Sequence, residues 1–179
     1  MSENEDLIQK AKDNARQNFR DGLNCAESVF KAILDTGVTD LPPETVALAS
    51  GFGGGMGLSG NNCGALVGAI MAVGAVHGRR NPLEGTFQDR VDRLYGNPGL
   101  YRFFNGMPHE FKARFGALNC CELTAPYLAA PDSEWTNRDR LKNCMKMVVE
   151  TAGMAMEYIL KGKDEGYTQA FGENVAKKV

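Results

Sequence analysis

Several features are scarce or missing in this sequence, and each absence narrows the reading. Basic residues do not outnumber acidic ones: 20 Lys and Arg against 22 Asp and Glu leave a net charge of −2. There is no cationic excess to draw in a phosphate backbone, so nucleic-acid binding is disfavoured. The longest strongly apolar run, Ala65 to Val76, falls well short of the roughly 20 residues needed to span a bilayer and reads as a buried helix. The opening residues Met1-Ser2-Glu3-Asn4-Glu5-Asp6 are acidic where a secretory leader is basic, and no apolar leader core follows. No membrane association and a cytoplasmic location are therefore expected. Two-residue alternation bounded by turn residues is almost absent, which leaves an all-α fold. No solenoid repeat, low-complexity tract or interdomain linker interrupts the 179 residues, so a single all-α domain is expected.

Familiar catalytic patterns are missing as well. The two histidines, His77 and His109, sit in no HExxH, CxxCH or spaced Cys/His pattern, so covalent c-type haem attachment is excluded by motif. There is no GxSxG elbow for serine catalysis. Gly55-Met56-Gly57-Leu58-Ser59-Gly60 matches GxGxxG literally. It lacks the preceding strand of a dinucleotide fold and the Lys-Ser or Lys-Thr of a phosphate loop, so it reads as a structural loop. His77, near a helix C-terminus, is expected to be stabilised there as a cation.

What is present is a series of helices around an apolar centre. A first helix is expected from about Asn4 to Arg20, with Leu7, Ala11, Ala15 and Phe19 near one face, and a second starts after Asn24 and closes near Gly37. Pro42-Pro43 suits the first turn of a short helix. The glycine-rich stretch Gly51 to Gly60 is a loop leading into an apolar helix near Cys63. There Gly60, Gly64, Gly68 and Ala72 recur every four residues and leave one face nearly bare for another backbone. This helix is expected to be central. Farther on, helices are expected to end before the prolines of Asn81-Pro82, Asn97-Pro98 and Met107-Pro108. Ala129-Ala130-Pro131-Asp132-Ser133 reads as a further break. A last long helix, about Asn137 to Leu160, carries Leu141, Met145, Val148, Ala152, Ala155 and Ile159 on one stripe. A core over about 18–160 is expected, and the polar tail after Gly162 is expected to be loosely held.

The cysteines carry the chemistry. Of the five, four follow an asparagine: Asn24-Cys25, Asn62-Cys63, Asn119-Cys120 and Asn143-Cys144. Asparagine is a preferred helix N-cap, which puts the first three cysteines in a first helical turn. There the dipole and free amides are expected to lower the thiol pKa. Asn143-Cys144 lies inside a helix, where no such argument applies. The four are separated by 38, 57 and 24 positions, so no CxxC site or zinc knuckle exists and any joint site is assembled from distant helices. Burial as small hydrophobes is the competing account. Cys120 and Cys121 are neighbours, and a bridge between them strains the peptide, so at most one belongs to a site.

The segments Asn24-Cys25-Ala26-Glu27-Ser28-Val29, Gly51-Phe52-Gly53-Gly54-Gly55-Met56-Gly57, Cys63-Gly64-Ala65-Leu66-Val67-Gly68 and Phe115-Gly116-Ala117-Leu118-Asn119-Cys120-Cys121, with Cys144, resemble the redox-active C_GCAxxG_C_C family. The resemblance places the four characteristic cysteines on Cys25, Cys63, Cys120 and Cys144, with Cys121 extra. The chain is also similar to part of the split-Soret cytochromes c, without their haem-attachment motifs.

The resemblance implies a cysteine-based redox protein, a thiol–disulfide oxidoreductase or electron-transfer protein, working with a redox partner protein or a small thiol. In this reading Cys63 is the nucleophile, since the glycine-rich loop before it leaves room for a partner, and Cys25, Cys120 and Cys144 resolve or relay. The alternative is that the same four thiolates bind zinc or an iron–sulfur cluster. A third reading makes the cysteines packing residues, with the small-residue face and Met145, Met147, Met154 and Met156 serving a homo-oligomer.

Overall fold

The computed structural model describes residues 2–128 and 137–172. It is all-α: among the described residues the sole strand-type pairing is an isolated bridge between Asn62 and Asn119. Helix α1 (Glu3–Arg20) is capped by Ser2 in a reciprocal box with Glu5. Helix α2 (Cys25–Leu34) is capped in the same way by Asn24 and Glu27. A 3₁₀ segment, Pro43–Phe52, begins with proline at its first position. Then come α3 (Gly64–His77), α4 (Phe87–Tyr95, boxed by Thr86 and Asp89), α5 (Leu100–Phe115), α6 (Cys120–Leu128) and the long α7 (Arg138–Glu165). The expected break at Ala129 to Ser133 lies outside the described residues.

The core is a four-helix arrangement in which α2 and α7 each pack on both α1 and α3. Helix α3 is apolar all round, as a helix enclosed by others should be, and buries Ala65, Leu66, Ala69, Ala72 and Val73. Its bare face does what the spacing implied. A Cβ on Gly68 would lie 2.5 Å from the Ala26 carbonyl oxygen, and one on Gly64 would lie 2.7 Å from the Phe52 carbonyl oxygen and 3.3 Å from Cys25 Cβ. Helix α3 thus seats its backbone against the start of α2. Gly60, the first member of the expected series, lies outside the helix.

The stripe on α7 divides. Val148, Ala152, Ala155 and Ile159 are fully buried, whereas Leu141 is exposed and Met145 half-buried. Met147, Met154 and Met156 belong to the core.

Three expectations are corrected. Pro108 does not end a helix: α5 continues through it to Phe115, because loss of one amide is offset by packing of Phe103, Met107 and Phe111 in the core. His77 is no helix-end cation: burial, followed by the nearby Lys163 charge, lowers its pKa below the ordinary value. Its ring instead pairs with the Tyr167 hydroxyl at 2.7 Å and the Ile159 carbonyl at 2.8 Å. The segment after Gly162 is helical to Glu165 and then docks on α5: the Gly99 amide donates to the Tyr167 carbonyl, and the Gly172 amide donates to the Asn105 side chain. Among the described residues, no helix is long and apolar enough to cross a membrane.

Candidate functional site

Each cysteine of the series is positioned by a distinct local device. Cys25 opens α2, held by Asn24, whose side chain accepts from the Ala26 and Glu27 amides and donates to the Ser50 carbonyl. Cys120 opens α6. Cys144 stands within α7, two turns from its start. Cys63 departs from the expected pattern, because it is itself the N-cap of α3. Asn62 is taken up in the bridge to Asn119, flanked by hydrogen bonds from the Cys63 amide to the Leu118 carbonyl (2.8 Å) and from the Cys120 amide to the Asn61 carbonyl (2.7 Å). Two of the Asn-Cys segments are therefore pinned to each other through main-chain atoms.

The glycine-rich stretch makes this convergence possible. From Gly54 through Leu58 five successive residues have positive φ, between 62° and 76°. Glycine adopts this conformation freely, whereas at Met56 and Leu58 it costs about 1–2 kcal/mol each. The left-handed turn folds the loop onto the site: a Cβ on Gly55 would sit 2.4 Å from the Asn61 carbonyl oxygen and 2.8 Å from Cys120 Cβ. The expected open loop before Cys63 is in fact a packed wedge.

Cys25, Cys63, Cys120 and Cys144 all line one small cavity of about 10 Å³, with Arg140 and Thr124 also on its wall. Cys63, Cys120 and Cys144 are buried, Cys25 is half-buried, and all are free thiols. Cys121 is exposed and lies outside this cavity. Cys25 and Cys144 also face a second, much larger cleft of about 800 Å³, whereas Cys63 and Cys120 do not. Among the described residues, no three His, Cys, Asp or Glu side chains are grouped so as to hold a metal ion.

The electrostatics reverse the expectation that helix starts would lower the thiol pKa values at Cys25, Cys63 and Cys120. Cys63 is pushed up to about 11, because burial outweighs the favourable amides of Ala65 and Leu66. Cys120 is also raised, by burial and then by the nearby Cys144, against the opposing pull of Arg140. Cys25 is raised well above its ordinary value, first by its hydrogen bond to Cys144, then by burial and the neighbouring thiols. Cys144, for which sequence offered no argument, is lowered to about 7: the Cys25 thiol donates a hydrogen bond to it, and the Arg140 charge favours its thiolate against the effect of burial. The helix-start amides do act on Cys63, but they are a minor contribution beside burial.

A family model described as "Putative redox-active protein (C_GCAxxG_C_C)" matches residues 23–158, and the chain belongs to that family. A relative described only as an uncharacterized protein, from Archaeoglobus fulgidus (strain ATCC 49558 / DSM 4304 / JCM 9628 / NBRC 100126 / VC-16), is 27% identical over 147 residues, covering 78% of this chain and 87% of the relative. No solved structure matches.

Proposed function

We propose that the chain is a thiol–disulfide redox protein whose working pair is Cys25 and Cys144. The observation that carries this reading is that these two thiols of the series line the large cleft together, and the neighbouring Cys25 thiol and the Arg140 charge lower Cys144 to about 7. A thiolate near neutral pH is the attacking species in disulfide exchange. Cys144 Sγ attacks one sulfur of a bound disulfide RSSR, forming a Cys144–S–S–R bond and expelling RS⁻, which takes up a proton. Cys25 then loses its proton and attacks Cys144 Sγ, expelling the second RS⁻. The balance is two protein thiols and RSSR giving a Cys25–Cys144 disulfide and two RSH, with two electrons passed to the substrate. The assignment of Cys63 as nucleophile is replaced by Cys144, because Cys63 does not face the large cleft and holds its proton to about pH 11. Cys63 and Cys120, brought to the same small cavity by the Asn62–Asn119 bridge, form a reserve behind the working pair.

A second reading, a four-thiolate site for zinc or an iron–sulfur cluster, draws on all four thiols lining one cavity and requires them to close in from their present spacing, in which no three are grouped to hold an ion. One experiment separates the two. Reduced protein, metal-free by elemental analysis, is titrated with a small disulfide, then digested and mapped by mass spectrometry. The expected product is a Cys25–Cys144 bridge with the fold unchanged by circular dichroism. A bridge that excludes Cys144, or thiols that stay free under excess oxidant, would overturn the redox assignment. Cooperative uptake of zinc with a rise in melting temperature would favour the metal reading.

A further inference from the structure

The cleft over the Cys25–Cys144 pair has a charge pattern at odds with the chain as a whole. The protein carries a net charge of −2, yet among the described residues those lining the cleft include Arg20, Arg138, Arg140 and Lys142 and no acidic side chain. The bases come from both sides, Arg20 from the end of α1 and the other three from the first turns of α7. Arg20 and Arg138 are exposed and form no ion pair with the described residues, while Lys142 pairs with Asp139 just outside the lining at 3.0 Å. Arg140 is buried beside the thiols, where its charge favours the Cys144 thiolate. Between the bases the walls are apolar: Phe19, Leu23, Leu58, Leu141 and Met145. The volume, about 800 Å³, is that of a small-molecule site. Three features thus coincide among the described residues: the Cys25–Cys144 pair in the lining, apolar walls, and charged groups of one sign.

The geometry points to a small anionic disulfide as the substrate, a molecule whose sulfur–sulfur bond sits in an apolar body flanked by carboxylates or phosphates. This inference rests on the redox reading of Cys25 and Cys144 and deepens it by naming the substrate class. Arg20, Arg138 and Lys142 hold the anionic groups and raise their local concentration, as a cleft lined by one sign of charge does. The walls keep the sulfurs over Cys144. Exchange then proceeds with the balance already given: two protein thiols are oxidised to one disulfide and the ligand is reduced to two anionic thiols. A protein disulfide is the competing substrate and has no need of a concave site with four bases.

The test uses full-length reduced protein carrying Cys121→Ser, so that the exposed thiol does not contribute. Three aliphatic disulfides of similar length are the probes: 3,3′-dithiodipropionate (dianionic), bis(2-hydroxyethyl) disulfide (neutral) and cystamine (dicationic). Each rate of Cys25–Cys144 bridge formation is divided by the rate of the same probe with 2-mercaptoethanol, which removes intrinsic reactivity. The dianion is expected to exceed the neutral probe by about 10-fold or more at low ionic strength, with cystamine slowest. Raising salt from about 0.02 M to about 0.5 M should collapse the ratio, since screening shortens the reach of the bases. In the triple variant Arg20→Gln, Arg138→Gln, Lys142→Gln, the dianion-to-neutral ratio should fall to near one. The salt series on unaltered bases tests the same idea should that variant fold poorly. Equal normalised rates for all three probes, with the bridge still forming, would overturn the charge-selective cleft and leave the redox reading standing. Failure of every probe to form the bridge would overturn the redox reading itself.

Discussion

The reactivity of Cys144 as a function of pH tests the physical core of this description. At pH 7 a thiol with a pKa of about 7 is about half ionised, whereas one at the ordinary value of 9.0 is about 1% ionised, a roughly 50-fold difference in thiolate. A thiolate of lower basicity is a poorer nucleophile. With a Brønsted slope of about 0.4–0.5, two units of basicity remove about 8-fold of that advantage. The net expectation is that Cys144 reacts about 6-fold faster than an unperturbed cysteine peptide at pH 7, if the reagent reaches it freely through the cleft. The assay is residue-resolved alkylation of reduced protein with iodoacetamide between pH 5 and 10, read by mass spectrometry. The midpoint for Cys144 should fall near 7, and Cys63 should stay unmodified until the solution approaches about 11. Cys25→Ala should move the Cys144 midpoint upward, because the hydrogen bond from Cys25 is the largest of the contributions lowering it and burial then acts with less opposition. A Cys144 midpoint at or above that of the peptide, or prior alkylation of Cys63, would refute the reasoning.

The remaining predictions concern the scaffold. Gly68→Ala should destabilise the protein by about 1–3 kcal/mol in urea melts, because the new methyl would meet the Ala26 carbonyl at 2.5 Å. Gly74→Ala, on the same helix but with nothing nearer than Phe104 at 4.0 Å, should be neutral or stabilising by up to about 1 kcal/mol; equal losses at both positions would contradict the close approach of α2 and α3. The folded-state pKa of His77 is lowered, so the unfolded chain binds its proton more readily. Its contribution to stability is full above the unfolded value near 6.5 and is lost as pH falls from there through the folded value. The melting temperature should therefore drop on acidification below about pH 6.5 less steeply in His77→Phe than in the parent, and parallel curves would show that His77 does not carry this dependence.

Local signals in the sequence proved dependable where a feature is decided by nearby residues. Asn24 announces a capped helix start, and the small residues Gly64, Gly68 and Ala72 announce a close helix contact. Both hold in the structure because their partners are either adjacent in sequence or plain backbone. The four cysteines line one cavity, an assembly from distant helices that the sequence left open as one site or two, and their ranking was not legible either. The expectation of low pKa values weighed helix-start amides alone, while burial and the other thiols, contributed by remote helices, decide the outcome. Asn62 misleads for a related reason: its cap role is pre-empted by pairing with Asn119, a contact with no trace in either segment read alone. The left-handed run through Met56 and Leu58 was equally hidden, since glycine content announces freedom but not the hand that the chain adopts. Pro108 shows the reverse error, where tertiary packing carries a helix through a residue that local propensity would forbid.

The placement of the working pair also bears on how the protein is made. Cys25 belongs to α2, the second of the helices described, and Cys144, with the Arg140 that favours its thiolate, belongs to α7, the last of them. Until α7 has docked against α1, α2 and α3, neither the pair nor the charge that activates it exists. In chain order Cys25 therefore emerges well before Cys144, and the four thiols share one cavity only with α7 in place. A chain truncated before Asn137 would keep Cys25, Cys63 and Cys120 and lack both Cys144, the thiol lowered to about 7, and the Arg140 charge that favours its thiolate.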